Sequence, residues 1–461
     1  MSAIHIVVLA AGKGTRMRSA IPKVLHRAAG LPLIEHVLRA AEALSPASTV
    51  VVVGHGAEAL KAALAIRLGL RFASQEAQLG TGHALLQAES ALDGATGTLV
   101  MLSGDVPLLR AGTLAELVRV HEAHRAAATV LTASVDSPDG YGRIVRDHQG
   151  QIAAIVEHKD ASPVEREIRE INSGIYAFDI GPLFAALRGI GSANSQGEYY
   201  LPDLIAIYRS RGLTVETVTL ADPREILGVN SRKELAEVTE HLRNNKLEEL
   251  MASGVTIIDP ATTFVEPDVT IGGDTIVHPG VYLERGTQIG AHCEIHSGVR
   301  IVNSRIDDHV VISNFCVIVD SHVSRGASVG PFAHIRPMSD IGEDAHVGNF
   351  VELKKTSLGR GAKAGHLAYL GDATIGEKVN IGAGTITCNY DGVNKHQTII
   401  EEGAFIGSDS QLIAPVRIGK GAYVAAGSSI TKDVPPESLA IARGKQVNKE
   451  GWASSHRKPT K

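Results

Sequence analysis

Residues 271–301 read IGGDTIVHPGVYLERGTQIGAHCEIHSGVRI. Aliphatic residues stand at Ile271, Val277, Leu283, Ile289, Ile295 and Ile301, one every six positions. That period is neither the roughly 3.6 of an amphipathic helix nor the alternation of a half-buried strand. The same spacing returns in new phases at Val323, Val329 and Ile335; at Ile341, Val347 and Leu353; at Leu358, Ala364 and Leu370; and at Ile400, Ile406, Leu412, Ile418, Val424 and Ile430. A sustained hexapeptide period is the signature of a parallel β-helix, in which each six residues form one flat face and its corner and three faces close a triangular coil. The aliphatic residue points inward and stacks on its equivalents in the coils above and below. Glycine, which often follows it, relieves the crowded corners.

Composition agrees with a core of this kind. The chain has 461 residues, with 48 Gly but only 4% aromatic residues. Of the glycines, 22 lie in residues 1–250 and 26 in the shorter remainder, which places the excess in the repeat. A coil filled by Ile, Val and Leu needs no rings. With 44% hydrophobic and 21% charged residues the chain can bury cores and falls outside the disordered, collagen-like and membrane-spanning classes. The formal charge of −5 provides no excess of Lys and Arg to coat a nucleic acid or an anionic membrane, so anions must be bound locally. Three Cys, at 293, 316 and 388, lack CxxC spacing and cannot all pair, which fits a reducing cytoplasm. The apolar run Ile4–Ala11 lacks a basic leader and enters Gly12-Lys13-Gly14 directly, so it reads as a first strand and not as a signal peptide.

Upstream of the repeat the grammar changes. Apolar runs at 4–10, 49–53 and 98–102 alternate with helical patterns, which predicts a mostly parallel sheet covered by helices, with ligands at the carboxyl ends of the strands. Both Gly12-Lys13-Gly14 and Asp105 fall at such ends. Ser231 is placed to cap a helix in which Leu235, Val238, Leu242, Leu247 and Leu250 recur at helical spacing, with Gly254 as its stop. The expected organisation is a catalytic α/β domain of Rossmann-like type over 1–230, a connecting helix over 231–253 and a β-helix domain with its tail over 254–461.

Residues 9–23 read LAAGKGTRMRSAIPK. The Gly-Lys-Gly turn offers backbone N–H groups to phosphates, and Arg16 and Lys23 add cations. Met17 stands where a dinucleotide fingerprint needs its third Gly, and no P-loop pattern is present. The spacing L-x-x-G-x-G-T-x-M-x-x-x-x-P-K resembles instead the sugar-1-phosphate nucleotidyltransferases. Read singly, Arg16 could be a solvated loop cation and Asn230 a helix cap. The resemblance implies a nucleotide and sugar site built from Leu9, Ala10, Ala11, Gly12, Lys23, Gln75, Gly80, Thr81, Ser103, Gly104, Asp105, Gly142, Glu157, Asn172 and Asn230. Asp105 and Asn230 would be ligands to Mg²⁺, and Gln75 with the 79–83 segment would read a pyrimidine base. Many relatives carry an aromatic residue where this chain has Ser103. Because a sugar 1-phosphate is already anionic at neutral pH, its attack on the α-phosphorus of a nucleoside triphosphate needs no general base; charge neutralisation by Arg16, Lys23 and the metal is the expected catalysis.

On the repeat itself, Arg336, the segment 349–355 (NFVELKK), the segment 364–372 (AGHLAYLGD), Asn380 and the segment 385–392 (TITCNYDG) bring functional side chains that a bare coil has no use for. Residues 387–397 skip the register and should bulge out near His366. Together the two halves resemble the bifunctional N-acetylglucosamine-1-phosphate uridylyltransferase/glucosamine-1-phosphate acetyltransferase family over nearly the whole chain. That resemblance implies a left-handed coil, a homotrimer with small-molecule substrates, and UTP and acetyl-coenzyme A as co-substrates. It also implies His366 as general base, Arg336, Lys354, Tyr369 and Asn380 on glucosamine 1-phosphate, and Ala383, Asn389, Tyr390, Ser408, Ala426 and Arg443 on acetyl-coenzyme A. An imidazole suits the step, since a sugar ammonium must lose its proton before its nitrogen can attack a thioester. Cys388 reads as a small buried filler. The tail from Gly444, with the single Trp452, is expected near the acetyl-coenzyme A site. Two other readings remain open at this point: a single-activity nucleotidyltransferase whose β-helix only assembles or regulates, and a non-catalytic scaffold that keeps both domains.

Overall fold

A computed structural model describes residues 2–458. The chain divides into two compact units, Met1–Leu242 and Arg243–Lys461.

In the first unit the central sheet runs in the order Val215–Thr219, Ala128–Ser134, Glu170–Asp179, Thr98–Ser103, Ile4–Ala10, Ser48–Val53, Leu70–Ser74. All neighbours along this path are parallel except Glu170–Asp179, which is antiparallel to both of its partners. The chain leaves Ile4–Ala10 towards Ser48–Val53 on one side and later returns on the other as Thr98–Ser103. The order of strands therefore reverses between Ile4–Ala10 and Thr98–Ser103, and a crevice opens at their carboxyl ends. Helices cover both faces, and their apolar stripes separate two cores, one around Val7, Val50, Met101 and Tyr176, the other around Val8, Val51, Leu102 and Leu117. The alternation along Ile4–Ala10 sends Val7 to one face and Val8 to the other, as strand geometry requires.

The second unit is a left-handed parallel β-helix. Its short strands stack into three sheets of 11, 10 and 9 strands, every pair parallel and in register. One core of buried Ile, Val, Leu and Ala runs along it from Leu247 to Val434. The coil also explains the phase changes in the sequence. Four edges are one residue short, from Ile301 to Ile306, Ile318 to Val323, Leu353 to Leu358 and Leu370 to Ile375, and all lie at the same corner of the triangle. The irregular stretch before Thr398 is inserted at that corner too. Cys293 and Cys316 are buried fillers of this core, whereas Cys388 is only half-buried.

The helix Arg232–Ala252 is capped as its sequence predicts: Ser231 Oγ accepts from the Glu234 N–H, and the Glu234 carboxylate accepts from the Ser231 and Asn230 N–H groups. At the other end Gly254, at φ +96°, turns the chain so that the Val255 N–H reaches the Leu250 carbonyl. Val238 packs in a cluster with Met17, Leu33 and Leu108 of the first unit, and Leu247 and Leu250 belong to the β-helix core. Among the described residues no helix is long and apolar enough to cross a membrane.

Candidate active sites

The crevice of the first unit contains two adjoining cavities. The first, about 260 Å³, is lined by Leu9, Ala10, Ala11, Gly12, Lys23, Gln75, Gly80, Thr81, Ser103 and Asp105, all of them expected, and by Gln78 and Glu198, which were not. The second, about 180 Å³, shares Leu9, Thr81 and Ser103 with the first and adds Gly142, Glu157, Asn172 and Tyr176.

Local chain geometry fixes several of these groups. Gly14 sits at φ +59° with Lys23 so close that a Cβ there would lie 2.7 Å from Lys23 Cβ, so the glycine turn and the lysine are packed as one piece. Met17 anchors the turn from below, fully buried beside Leu108 and Val229. Gly80, at φ +107°, is crossed by the Tyr199 backbone, 2.7 Å from where its Cβ would be. The buried Gln75 gives its Nε2 to the Gly80 carbonyl and to His83 Nδ1, both at 3.1 Å, so what it can offer a ligand is its amide oxygen. Gln78 Nε2 holds the Ala11 carbonyl at 2.6 Å.

Three residues far apart in sequence meet at the crevice floor. Lys23 Nζ donates to Asp105 Oδ2 in a short ion pair and to Asn230 Oδ1 at 3.1 Å. Asn230 is thus not the helix cap; Ser231 is, and the cap helps to fix Asn230 through its own N–H on Glu234. The Val229 N–H bonds the Asp105 carbonyl at 2.9 Å, which ties the two oxygen donors together through the backbone. Burial works to raise the Glu234 carboxyl, but the Asn230 and Ser231 hydrogen bonds and the Arg16 charge outweigh it and hold Glu234 below its ordinary range. Arg16 itself stays exposed. In the second cavity, burial first and then the charges of Asp160, Asp203 and Glu198 push the Glu157 carboxyl up. Nothing in the structure explains why Ser103 replaces an aromatic residue.

On the β-helix, one column of positions collects the expected acyl-transfer residues. Asn349 and His366 are register partners at the ends of their strands; two residues past the inward-pointing Ile381, Ile406 and Val424, the positions of the next three coils are Ala383, Ser408 and Ala426. Backbone bonds repeat down this edge, from the Asp409 N–H to Ala383 O and from the Gly427 N–H to Ser408 O. Arg443 closes the column with an NH1 bond of 2.6 Å to the Ala426 carbonyl. His366 is exposed, and its Nδ1 lies 2.6 Å from Asn349 Oδ1.

The neighbouring sheet carries Arg336 and Lys354 one coil apart. Arg336 pairs with Glu352 at 2.7 Å. Tyr369 Oη and Asn389 Nδ2 both lean over Gly371, 2.5 and 2.7 Å from the place a Cβ would take. Asn389 also donates to Asp372 at 2.5 Å. Asn380 lies on the strand beside Lys363, as its register partner. The inserted loop is organised by Asp391, which accepts from the Val393 and Asn394 N–H groups and bonds His396 at 2.6 Å; these bonds depress its pKa to about 2. Tyr390 Oη returns to the Gly392 carbonyl. The loop makes its contacts with Asp372 and Thr374 and brings Lys395 beside Lys354, whose ammonium pulls the Lys395 pKa down. Lys395 escaped the sequence reading because it lies where the period is lost. From Gly444 to Lys458 the tail is exposed almost throughout, with Trp452 stacked on His456 in a five-residue helix.

Comparison with known proteins covers both units. Residues 6–174 match the MobA-like NTP transferase domain, residues 261–354 the GMPPB C-terminal domain, and residues 397–432 six bacterial transferase hexapeptide repeats. The chain is 50% identical over 446 residues to the bifunctional protein GlmU of Exiguobacterium sp., covering 97% of this chain and 98% of that one. It is 50% identical over 456 residues to its namesake from Koribacter versatilis (98% and 97% covered) and 49% identical over 460 residues to that of Pelobacter propionicus, over the full length of both. Full-length similarity of this kind removes the single-activity and scaffold readings: the chain belongs to the GlmU family of bifunctional enzymes, which acetylate glucosamine 1-phosphate and join the product to UMP from UTP.

Proposed function

We propose that the two chemistries are divided between the two units, with uridylyl transfer carried by residues of 1–230 and acetyl transfer by residues of 254–461, the helix 231–253 joining them. One observation supports this division: the Asp105/Asn230/Lys23 cluster and the His366/Asn349 pair each lie wholly within one compact unit.

In the first unit, Asp105 Oδ2 and Asn230 Oδ1 already converge on one cation, the Lys23 ammonium. A carboxylate and an amide oxygen are hard donors that suit Mg²⁺, so these two residues would hold the ion. When bound, Mg²⁺ supplies charge neutralisation on phosphate oxygens. The chain's own groups do the rest. Arg16 and Lys23 neutralise the triphosphate and the incoming sugar phosphate, and Gln75 presents its amide oxygen to the base. Glu157 and Asn172 take the sugar. A phosphate oxygen of N-acetylglucosamine 1-phosphate attacks the α-phosphorus of UTP, the bond to the β-phosphate oxygen breaks, and pyrophosphate leaves with no proton transfer required.

In the second unit, Asn349 Oδ1 can only accept, so His366 carries its proton on Nδ1 and turns the Nε2 lone pair outwards as the base. Arg336, Lys354 and Lys395 hold the phosphate of glucosamine 1-phosphate, and Tyr369 and Asn380 position the sugar. The amine gives its proton to Nε2, its nitrogen bonds to the thioester carbonyl, and the thiolate of coenzyme A leaves and is reprotonated. Ala383, Ser408, Ala426 and Arg443 line the path of the acyl carrier, with Asn389 and Tyr390 beside it.

Homotrimeric assembly is supported by a ridge of apolar side chains at one corner of the coil. Phe315, Phe332, Phe350 and Leu367 all lie at positive φ and are about half exposed, and the three rings stack at 5.2 and 5.3 Å. An exposed apolar ridge beside His366 is what a neighbouring subunit would cover. The three unpaired Cys fit a cytoplasmic enzyme.

The test is a crossed pair of assays. His366→Ala is expected to lose acetyl transfer and keep uridylyl transfer, and Asp105→Ala the reverse. Loss of both activities in either folded variant would refute the division.

A further inference from the structure

Early in the β-helix, four coils before His366, the outer face carries a cluster that neither reaction uses. His278 and His296 stand at the same position of successive coils. Their backbones are aligned by the His278 N–H bond to Ile295 O and the His296 N–H bond to Ile312 O, each 2.9 Å. Glu294 opens the strand Glu294–Ile295 and His296 directly follows it, on either side of the inward-pointing Ile295, so both side chains lie on the outer side of the sheet. The three side chains meet. His278 Nε2 is 3.1 Å and His296 Nε2 3.4 Å from the same oxygen, Glu294 Oε1, and one ligand atom from each residue lies within 4.8 Å of the others. The two rings stack at 4.6 Å.

We propose that His278, Glu294 and His296 form a binding site for a divalent transition-metal ion of the Zn²⁺ class, separate from the Mg²⁺ site of the uridylyltransferase unit. Bonds of about 2.0–2.1 Å in a tetrahedral zinc centre place neighbouring ligand atoms about 3.3 Å apart. Two of the three edges already have that length, and the third, between the imidazole nitrogens, is no more than 4.8 Å and would shorten on binding. Two imidazoles and one carboxylate form a borderline-soft set that favours Zn²⁺, Co²⁺ or Ni²⁺ over Mg²⁺, and a fourth position is left for water. The site is half-buried and its ligands are set by the coil, so little side-chain freedom is lost on binding: His278 and His296 are 25% and 28% exposed. A metal here would bridge two successive coils at the amino-terminal end of the repeat.

A corner of the same coils, where His292 and His309 lie at positive φ, supplies an internal control. His292 and His309 also stack, at 5.0 Å, but Asp274 reaches only His292, at 3.8 Å, and its side chain and that of His292 are 81% and 53% exposed. The experiment uses the full chain stripped with a chelator, dialysed against micromolar Zn²⁺ with millimolar Mg²⁺ present, and analysed for bound zinc per chain. Wild type and the His292→Ala/His309→Ala double variant are expected to retain one more zinc per chain than His278→Ala/His296→Ala, with Glu294→Gln retaining less than wild type. Co²⁺ should give visible d–d absorption in the wild type that the His278→Ala/His296→Ala variant lacks, while both transferase activities of that variant stay at wild-type level. Equal zinc in wild type and His278→Ala/His296→Ala, or an equal loss in the control variant, would overturn the proposal.

Discussion

The two sites are assembled in opposite ways. In the first unit, groups separated by 82 and 207 residues converge on one ammonium because a reversal in strand order opens a crevice there. In the second, His366 and the residues proposed to line the acyl carrier recur once per coil along a single edge, and the fold places them in line by register. A convergent site depends on many backbone segments keeping their places, whereas a repeated one depends on a register. The first should therefore fail sharply at single points and the second by degrees, except at its one chemical group.

The crossed knockouts probe this contrast with the largest effects. His366→Ala should cost about 10²–10⁴-fold in acetyl transfer, the range for loss of a general base, and leave uridylyl transfer unchanged. Asp105→Ala should cost about a hundredfold or more in uridylyl transfer, as expected when several kcal/mol of charge stabilisation are lost. Glycine substitutions come next. Gly80→Ala forces a Cβ into backbone at φ +107° and should destabilise the first unit by about 1–3 kcal/mol, read as a lowered unfolding midpoint along with weaker UTP use. Gly371→Ala meets first the ends of the Tyr369 and Asn389 side chains, which can move. It should raise KM for glucosamine 1-phosphate by about tenfold while the melting temperature stays close to wild type. An equal stability loss in both would dissolve the contrast.

Smaller effects sharpen it. Asn349→Ala frees the His366 ring to take the other tautomer and should lower acetyl-transfer kcat by about tenfold with KM little changed; Asn349→Asp, which still accepts, should restore the rate. The smallest effect concerns the inserted loop. The Asp391 pKa falls to about 2 in the folded chain, against about 3.9 for a free Asp, so its stabilising bonds persist above about pH 4 and are lost as pH falls towards 2. The protection factors of the Val393 and Asn394 amides against hydrogen exchange should fall over that interval and should be close to one at every pH in Asp391→Ala.

Sequence disclosed each region to the extent that its physics is local. The strand at 4–10, the glycine turn and the cap at Ser231 are written in adjacent residues, and the hexad is a period. The one-residue-short edges were not legible as a shared corner, because each resets the phase and looks in sequence like the end of one repeat and the start of another. Gln78 and Glu234 bond Ala11 and Asn230, and Glu198 lines the first cavity, contacts that no spacing rule announces. Asn349 was legible only as part of a segment that departs from the repeat. Its partnership with His366 is a register contact between coils 17 residues apart. The loop's contact with Lys354 was equally hidden, since an insertion carries no periodicity from which its return point could be read.

The edge that holds His366, Ala383, Ser408 and Ala426 is also a ruler. The intervals are 17, 25 and 18 residues in sequence, the longest containing the inserted loop, yet each is one coil in space. At about 4.8 Å per coil the span from the imidazole to Ala426 is about 14 Å, set by the backbone and indifferent to what the corners carry. On the acetyl transfer proposed above, a thioester presented to His366 would hang from a carrier long enough to lie along three graduations. Deleting one whole coil below His366 would shorten that reach by a fixed step without touching the base itself.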